Sequence, residues 1–126
     1  MPKINRLQSF RYAFSGIWYT LKTQRNAQIH TSIGLGILML GLLLKLTILE
    51  WAIIALTMGF VLAAEMFNTV AEAAMDAIST EFHPQIKIVK DVAAGAVLTA
   101  ALTAVVVGLL ILGPPLWEWL LGLRLG

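Results

Sequence analysis

Glu65, Asn68, Glu72 and Asp76 are the residues whose types and spacing suit chemistry, standing at offsets of 3, 7 and 11 along an otherwise apolar stretch. At about 100° per residue these offsets fall within about 80° of arc, so three carboxyls and an amide share one helix face. Trp51 to Ile78 reads as one long helix leaving a bilayer. Counted from Trp51 as the outer edge, Glu65 lies about 21 Å across a hydrocarbon core of about 30 Å, Glu72 falls near the inner interface and Asp76 stands beyond it. The row climbs from lipid depth into water. Placing an ionisable group at bilayer depth costs roughly 2.5 to 3.5 kcal/mol, so such a group marks a functional site. A deep carboxylate suits a general base for a hydroxyl at a lipid's polar end, while shallower carboxylates suit a hard cation such as Mg²⁺, which prefers oxygen ligands and phosphates. Together they suit phosphoryl transfer to a lipid alcohol. The plainer alternative is a structural cluster joining helices through shared protons, and like charges on one face weigh against it unless something bridges them.

Lys90 and Asp91 open the third apolar span from the same side. They set a cation and an anion against the aqueous end of the row, where nucleotide phosphate and a metal could meet them. Taken alone, the pair reads as a juxtamembrane anchor with Asp91 as a helix N-cap. Glu81, Phe82 and His83, ended by Pro84, form a short polar link where a nucleotide could rest, although in isolation these three residues read as an ordinary turn. His30, at the entry to the first span, reads as an interfacial hydrogen-bonding residue rather than a metal ligand. Ala93, Ala94, Gly95 and Ala96 form a small-residue strip suited to close helix packing.

The elements that hold these residues follow from composition. Of 126 residues, 59% are hydrophobic and 13% charged, against roughly 25% charged in an ordinary soluble domain. The chain is an integral membrane protein, all-α, in one domain covering residues 1–126. Spans are expected at about 31–49, 51–78 and 92–112, with Lys45 snorkelling, a tight hairpin around Glu50, and Gly113-Pro114-Pro115 stopping the third span. Before them, Phe10, Phe14, Ile17, Trp18 and Leu21 recur at helical spacing opposite Arg11, Ser15 and Lys22, which predicts an amphipathic surface helix over about 5–26. No uninterrupted apolar core or small-residue cleavage site occurs in the first thirty residues, so a secretory signal is not expected.

Lys3, Arg6, Arg11, Lys22, Arg25, Lys87 and Lys90 flank one side of the spans, and Lys45 and Arg124 the other. The positive-inside rule then predicts a cytoplasmic amino terminus and an external carboxyl terminus, with Trp51, Trp117 and Trp119 at the outer interface. The absence of cysteine excludes disulfides, Fe–S clusters and thiolate zinc sites, and the two histidines cannot build a His-rich metal centre. A net charge of +2 gives no reason to expect nucleic acid as a partner. There is no GxxxxGK[ST] loop, strand-flanked GxGxxG, HExxH or GxSxG, which excludes the standard nucleotide folds and hydrolase elbows. A function from another class also fits these features: a small non-enzymatic membrane protein or proton-coupled transporter subunit in which Glu65 and Glu72 relay protons.

Three segments resemble the prokaryotic diacylglycerol kinase family of small three-span lipid kinases, which includes the undecaprenol kinases of Gram-positive bacteria. They are Glu65-Met66-Phe67-Asn68-Thr69-Val70-Ala71-Glu72-Ala73-Ala74-Met75-Asp76, then Glu81-Phe82-His83, then Lys90-Asp91-Val92-Ala93-Ala94-Gly95-Ala96-Val97. Arg6, Phe10, Ala13 and Gly16, followed by Arg25-Asn26 and His30, match the Gram-positive type of pattern, and the resemblance covers most of the chain. It implies a homotrimer in the cell membrane with active sites shared between protomers, ATP as co-substrate, Mg²⁺, and a lipid alcohol, diacylglycerol or undecaprenol, as acceptor. It further implies that Glu65 is the catalytic base and that Glu72 ligates Mg²⁺ with ATP. Tyr12, Glu81, Phe82, His83, Lys90 and Asp91 would surround the nucleotide, and Asn68 and Asp76 would support it. The chain departs from the family at two positions. Gln24 stands where the family has a metal-sharing glutamate, and Ala94 where one branch has a serine at the lipid site.

Overall fold

Capping residues decide where the helices begin. Asn5 accepts from the Gln8 backbone N–H at 2.8 Å and donates its own to the Gln8 side chain at 3.0 Å, a reciprocal box that opens α1, Arg6–Thr23. Thr47 and Glu50 build the same box, at 3.2 and 2.8 Å, for α3, Ile48–Ile78. His83 caps α4, Pro84–Leu120, with proline at a first position whose N–H would have no helical partner. Between them α2, Arg25–Leu44, follows α1 after one extended residue, Gln24. The computed structural model describes residues 4–122, and among these every regular element is a helix. Lys3 and Arg124, which entered the charge count, lie outside the described residues.

Three of the helices, α2, α3 and α4, are long and apolar enough to cross a membrane. At about 1.5 Å per residue they measure about 30, 46 and 55 Å, so α3 and α4 outrun a hydrocarbon core of about 30 Å.

Several boundaries differ from the sequence expectations. The surface helix stops at Gln24 (φ −99°, ψ 112°) instead of reaching residue 26, and residues 25–30 belong to the first span. That span ends at Leu44 rather than 49. Lys45 adopts the left-handed conformation (φ 54°, ψ 56°) and Leu46 N–H donates back to the Gly41 carbonyl at 3.3 Å, which closes the helix. The hairpin therefore turns over residues 45–47, and Glu50 lies inside α3 as a capping partner. Pro114 and Pro115 do not end the third span, since α4 runs through both to Leu120. Proline's fixed φ is helical, and burial of Leu112 and Pro115, with Leu116 against the same cluster, holds the segment in line despite two missing N–H donors. Asp91 is not an N-cap. Helix α4 begins seven residues earlier, with His83 as its cap.

Two apolar clusters join the helices. Val61 and Ala64 of α3 meet Val97, Ala100 and Ala104 of α4, and at the hairpin end Leu44, Ile54 and Leu112 pack with Leu40, Met58 and Leu116. Small residues let α3 and α4 approach closely, but they are not the strip expected at 93–96: Ala94, Gly95 and Ala96 are exposed, and a Cβ on Gly95 would meet nothing. Side chains of α3 press closely on α2 at Gly34 and Gly41, where an added Cβ would lie 2.6 Å from Met58 Cε and 2.7 Å from Trp51 Cη2. Trp51 thus packs over α2 rather than serving only as an interfacial anchor. Large apolar residues such as Leu43, Leu56 and Leu109 face outward, as lipid-facing positions require.

Candidate active site

Glu65 is 2% exposed, the largest fully buried side chain among the described residues, and lies halfway along α3. Its Oε1 stands 3.4 Å from His30 Nε2 on α2, at ion-pair distance but without a hydrogen bond. Asn68 Oδ1, one turn on, is buried and likewise has no partner, whereas the Thr69 hydroxyl is satisfied by donating to the Glu65 backbone carbonyl at 2.8 Å. Buried polar atoms are almost always bonded, so two orphaned oxygens one turn apart mark a place prepared for another group.

A cleft of about 110 Å³ opens beside them between α2, α3 and α4. His30 and Glu65 line one end, and apolar or small residues including Gly34, Met58, Val61 and Gly108 line the rest, down to Ile54 and Leu112. Ile54 is eleven residues from Glu65, about 16 Å along α3. The result is a narrow apolar slot headed by a carboxyl. A lipid chain suits such a slot, with a terminal hydroxyl at the carboxyl.

Farther along α3 the row reaches water. Glu72 is exposed and its carboxylate makes no hydrogen bond or ion pair among the described residues. Asp76 Oδ1 accepts from Lys90 Nζ at 2.6 Å, tying the last turns of α3 to the start of α4. Lys90 lies beyond the apolar stretch at 92–112. The hydrogen bond to Asp76 pushes its pKa above the usual lysine value; partial burial opposes this, and the Asp76 and Glu72 charges add to it. Asp91 pairs with Lys87 one turn back on α4. Lys90 and Asp91 therefore do not act as a pair with each other. A cation does bridge the aqueous end of the carboxylate row, which answers the expected repulsion.

The link between α3 and α4 is a turn with its own hydrogen bonds. Glu81 N–H donates to Ser79 Oγ at 3.1 Å and Gln85 N–H to His83 Nδ1 at 3.2 Å, so His83 has a capping role that its sequence did not announce. Phe82 is 82% exposed and Tyr12, on α1, 60%, leaving both rings free to meet a planar ligand or a neighbouring chain. Gln24 sits at the α1–α2 junction with its amide nitrogen donating to Thr23 Oγ1 at 3.1 Å, which leaves a neutral carbonyl oxygen available.

Among the described residues no three His, Asp or Glu side chains converge into a metal cage. Mg²⁺ commonly needs only one or two carboxylates alongside substrate phosphates. An exposed Glu72, with no hydrogen bond or ion pair among the described residues, fits that demand.

Sequence spacing found the α3 row and set Lys90 and Asp91 against its aqueous end, but not the contacts across helices, His30 beside Glu65 and Lys90 on Asp76 in particular. One signal was present for the first. Counted from the hairpin, His30 lies about 21 Å before Leu44 and Glu65 about 26 Å past Ile48, at nearly the same depth.

Residues 11–112 match the family model described as prokaryotic diacylglycerol kinase. The chain is 42% identical over 115 residues to the undecaprenol kinase of Bacillus subtilis, covering 90% of this chain and 94% of that one. It is 45% identical over 113 residues to the diacylglycerol kinase of a Synechocystis species, covering 89% of this chain but 65% of that longer protein. The chain belongs to the prokaryotic diacylglycerol kinase family, a family of lipid kinases.

Proposed function

We propose that this lipid kinase carries out ATP- and Mg²⁺-dependent phosphorylation of a membrane lipid alcohol at the cytoplasmic face. The acceptor is undecaprenol or diacylglycerol, and the product undecaprenyl phosphate or phosphatidic acid. The observation that carries this reading is a buried carboxyl, Glu65, heading an apolar cleft on the same helix face as the exposed Glu72, about 10 Å nearer the water. The lipid lies along the cleft with its hydroxyl at Glu65, and the triphosphate enters from the water. As the lipid oxygen bonds to the γ-phosphorus, the bond to the β–γ bridging oxygen breaks. ADP leaves with that electron pair, and Glu65 takes the hydroxyl proton. Transfer is direct, without a phosphoenzyme, so positioning and charge neutralisation supply most of the catalysis.

Glu72, with Gln24, would hold Mg²⁺, which when bound would supply positive charge to offset the negative charge of the triphosphate. Tyr12, Asn68, Asp76, Glu81, Phe82, His83, Lys90 and Asp91 bind and orient the nucleotide. Tyr12 and the unpartnered Asn68 oxygen support a site completed by neighbouring protomers in a homotrimer. The basic residues at 6–25 and 87–90 support a cell-membrane location with the amino terminus inside and the carboxyl terminus outside. End-to-end similarity to the Bacillus relative favours undecaprenol over diacylglycerol.

The test uses purified protein in mixed micelles with labelled ATP, Mg²⁺ and a panel of polyprenols and diacylglycerols. Label should appear in a lipid phosphate. Glu65→Gln should lower turnover by about 10²- to 10⁴-fold while ATP binding persists, because only the base is removed. No labelled lipid from the unmodified chain would favour the proton-relay alternative, and near-normal turnover by the variant would remove Glu65 from the role of base.

A further inference from the structure

Proton abstraction by Glu65 depends on where its two oxygens point, and one neighbour can control that. His30 Nε2 is 3.4 Å from Oε1, with the histidine side chain 29% exposed and the glutamate 2%. The α4 side of this stretch of α3 is aliphatic: Val61 and Ala64 face Val97, Ala100 and Ala104, whose side chains cannot donate a hydrogen bond, and of the threonines lining the cleft, Thr31 and Thr57, the second donates to the Ile53 carbonyl. On α3 itself the unpartnered Asn68 oxygen is an acceptor, the amide nitrogen beside it is a donor one turn from Glu65, and the Thr69 hydroxyl is already committed to the backbone, so His30 is the donor that reaches Glu65 from another helix. A buried carboxylate left without a donor is costly. Closing the gap from 3.4 Å to a normal N–H···O distance requires a shift of only about 0.5 Å.

We propose that His30 is a positioning residue for Glu65. In the working enzyme its Nε2–H donates to Oε1 and fixes the carboxylate, leaving Oε2 directed at the hydroxyl of the lipid in the cleft. His30 lines the same end of the cleft as Glu65, but its part in the chemistry runs through the Glu65 carboxylate and not through the reacting oxygen or phosphorus. This inference rests on the reading of Glu65 as the base. It adds α2 to the helices that set the chemistry, and it explains why a histidine occupies the entrance of an apolar span.

Misplacing a reacting group by about 1 Å can cost about 10²-fold in rate. His30→Leu, which fills similar space without a donor, should lower kcat by about 10- to 100-fold with the lipid KM changed less than about twofold. His30→Gln, whose amide can reach the same oxygen, should recover kcat to within about threefold of the unmodified enzyme, whereas His30→Asn, one methylene shorter, should not. That pair carries the test if the leucine variant does not fold. A second measurement needs no turnover. In ¹⁵N-histidine-labelled protein in micelles, Glu65→Gln should move the ring-nitrogen signals of His30 and leave those of His83 in place.

Unchanged kcat in His30→Leu, equal activities of the glutamine and asparagine variants, an effect confined to KM, or a His30 spectrum indifferent to Glu65→Gln would each overturn the inference while leaving the kinase reading intact. A wild-type chain that phosphorylates no lipid alcohol would overturn the kinase reading and the catalytic role of His30 with it.

Discussion

The hairpin between α2 and α3 closes on a glycine, and the cost of filling it can be worked out. A methyl group at Gly41 would sit 2.7 Å from Cη2 and 3.0 Å from Cζ2 of Trp51, and 3.0 Å from Leu46 Cδ1. Carbon atoms pack at about 3.5 to 4.0 Å, so something must retreat by about 1 Å. The indole is a rigid plate and the connection at 45–47 is short, so relief comes mainly from prying α2 away from α3. Overpacking of this kind costs about 1 to 3 kcal/mol. Alanine also favours a helix over glycine by up to about 1 kcal/mol, which would mask part of the loss. Gly36→Ala on the same helix removes that ambiguity, because a Cβ at Gly36 meets nothing within 4 Å. The difference between the two variants isolates the steric part and should be about 1 to 3 kcal/mol against Gly41→Ala. Reversible unfolding in mixed micelles measures it, and adding Trp51→Leu to Gly41→Ala should recover most of the loss. Equal stabilities of Gly41→Ala and Gly36→Ala would refute the packing argument.

Two further outcomes follow from the water-facing end of the row. Glu72→Gln should raise the Mg²⁺ concentration needed for half-maximal turnover by about tenfold or more, or abolish activity, since a charged oxygen ligand becomes neutral; an unaltered Mg²⁺ titration would take the metal role from Glu72. The Asp76–Lys90 hydrogen bond raises the lysine pKa above 10.5, so its contribution to stability is present in full below about pH 10.5 and is lost as pH climbs through the higher folded-state value. The stability advantage of the unmodified chain over Asp76→Asn should therefore hold steady from neutral pH to about pH 10.5 and shrink above it, as unfolding midpoints across that range would show, and a constant difference would contradict the assignment.

What the sequence made legible was whatever a single helix determines. The offsets of Glu65, Asn68, Glu72 and Asp76 fix a shared face whatever lies opposite, and the uncharged run at 92–112 fixes a span. Contacts between helices were harder to read. No periodicity says that His30 turns toward Glu65, or that Lys90 bridges to Asp76 while Asp91 pairs backward with Lys87, because those choices depend on how two helices are rotated against each other. Local stop signals also misled where burial outweighed them. Pro114 and Pro115 read as a terminus, yet Leu112 and Leu116 pack at the hairpin end and Pro115 between them is buried. Lys45 looked like a snorkelling residue within a span and proved to be the left-handed residue that ends it. The roles of Tyr12 and Gln24 were carried by resemblance alone, since nothing within their own helices singles them out.

Gln24 is the single extended residue between α1 and α2, and its two torsions alone set the angle at which they meet. Tyr12 lies twelve residues away, about 18 Å along α1, so a change of about 10° at that joint would swing its ring by about 3 Å. The amino-terminal helix works as a lever arm with a one-residue fulcrum. Whatever grips Gln24 sets the reach of an aromatic side chain several turns distant.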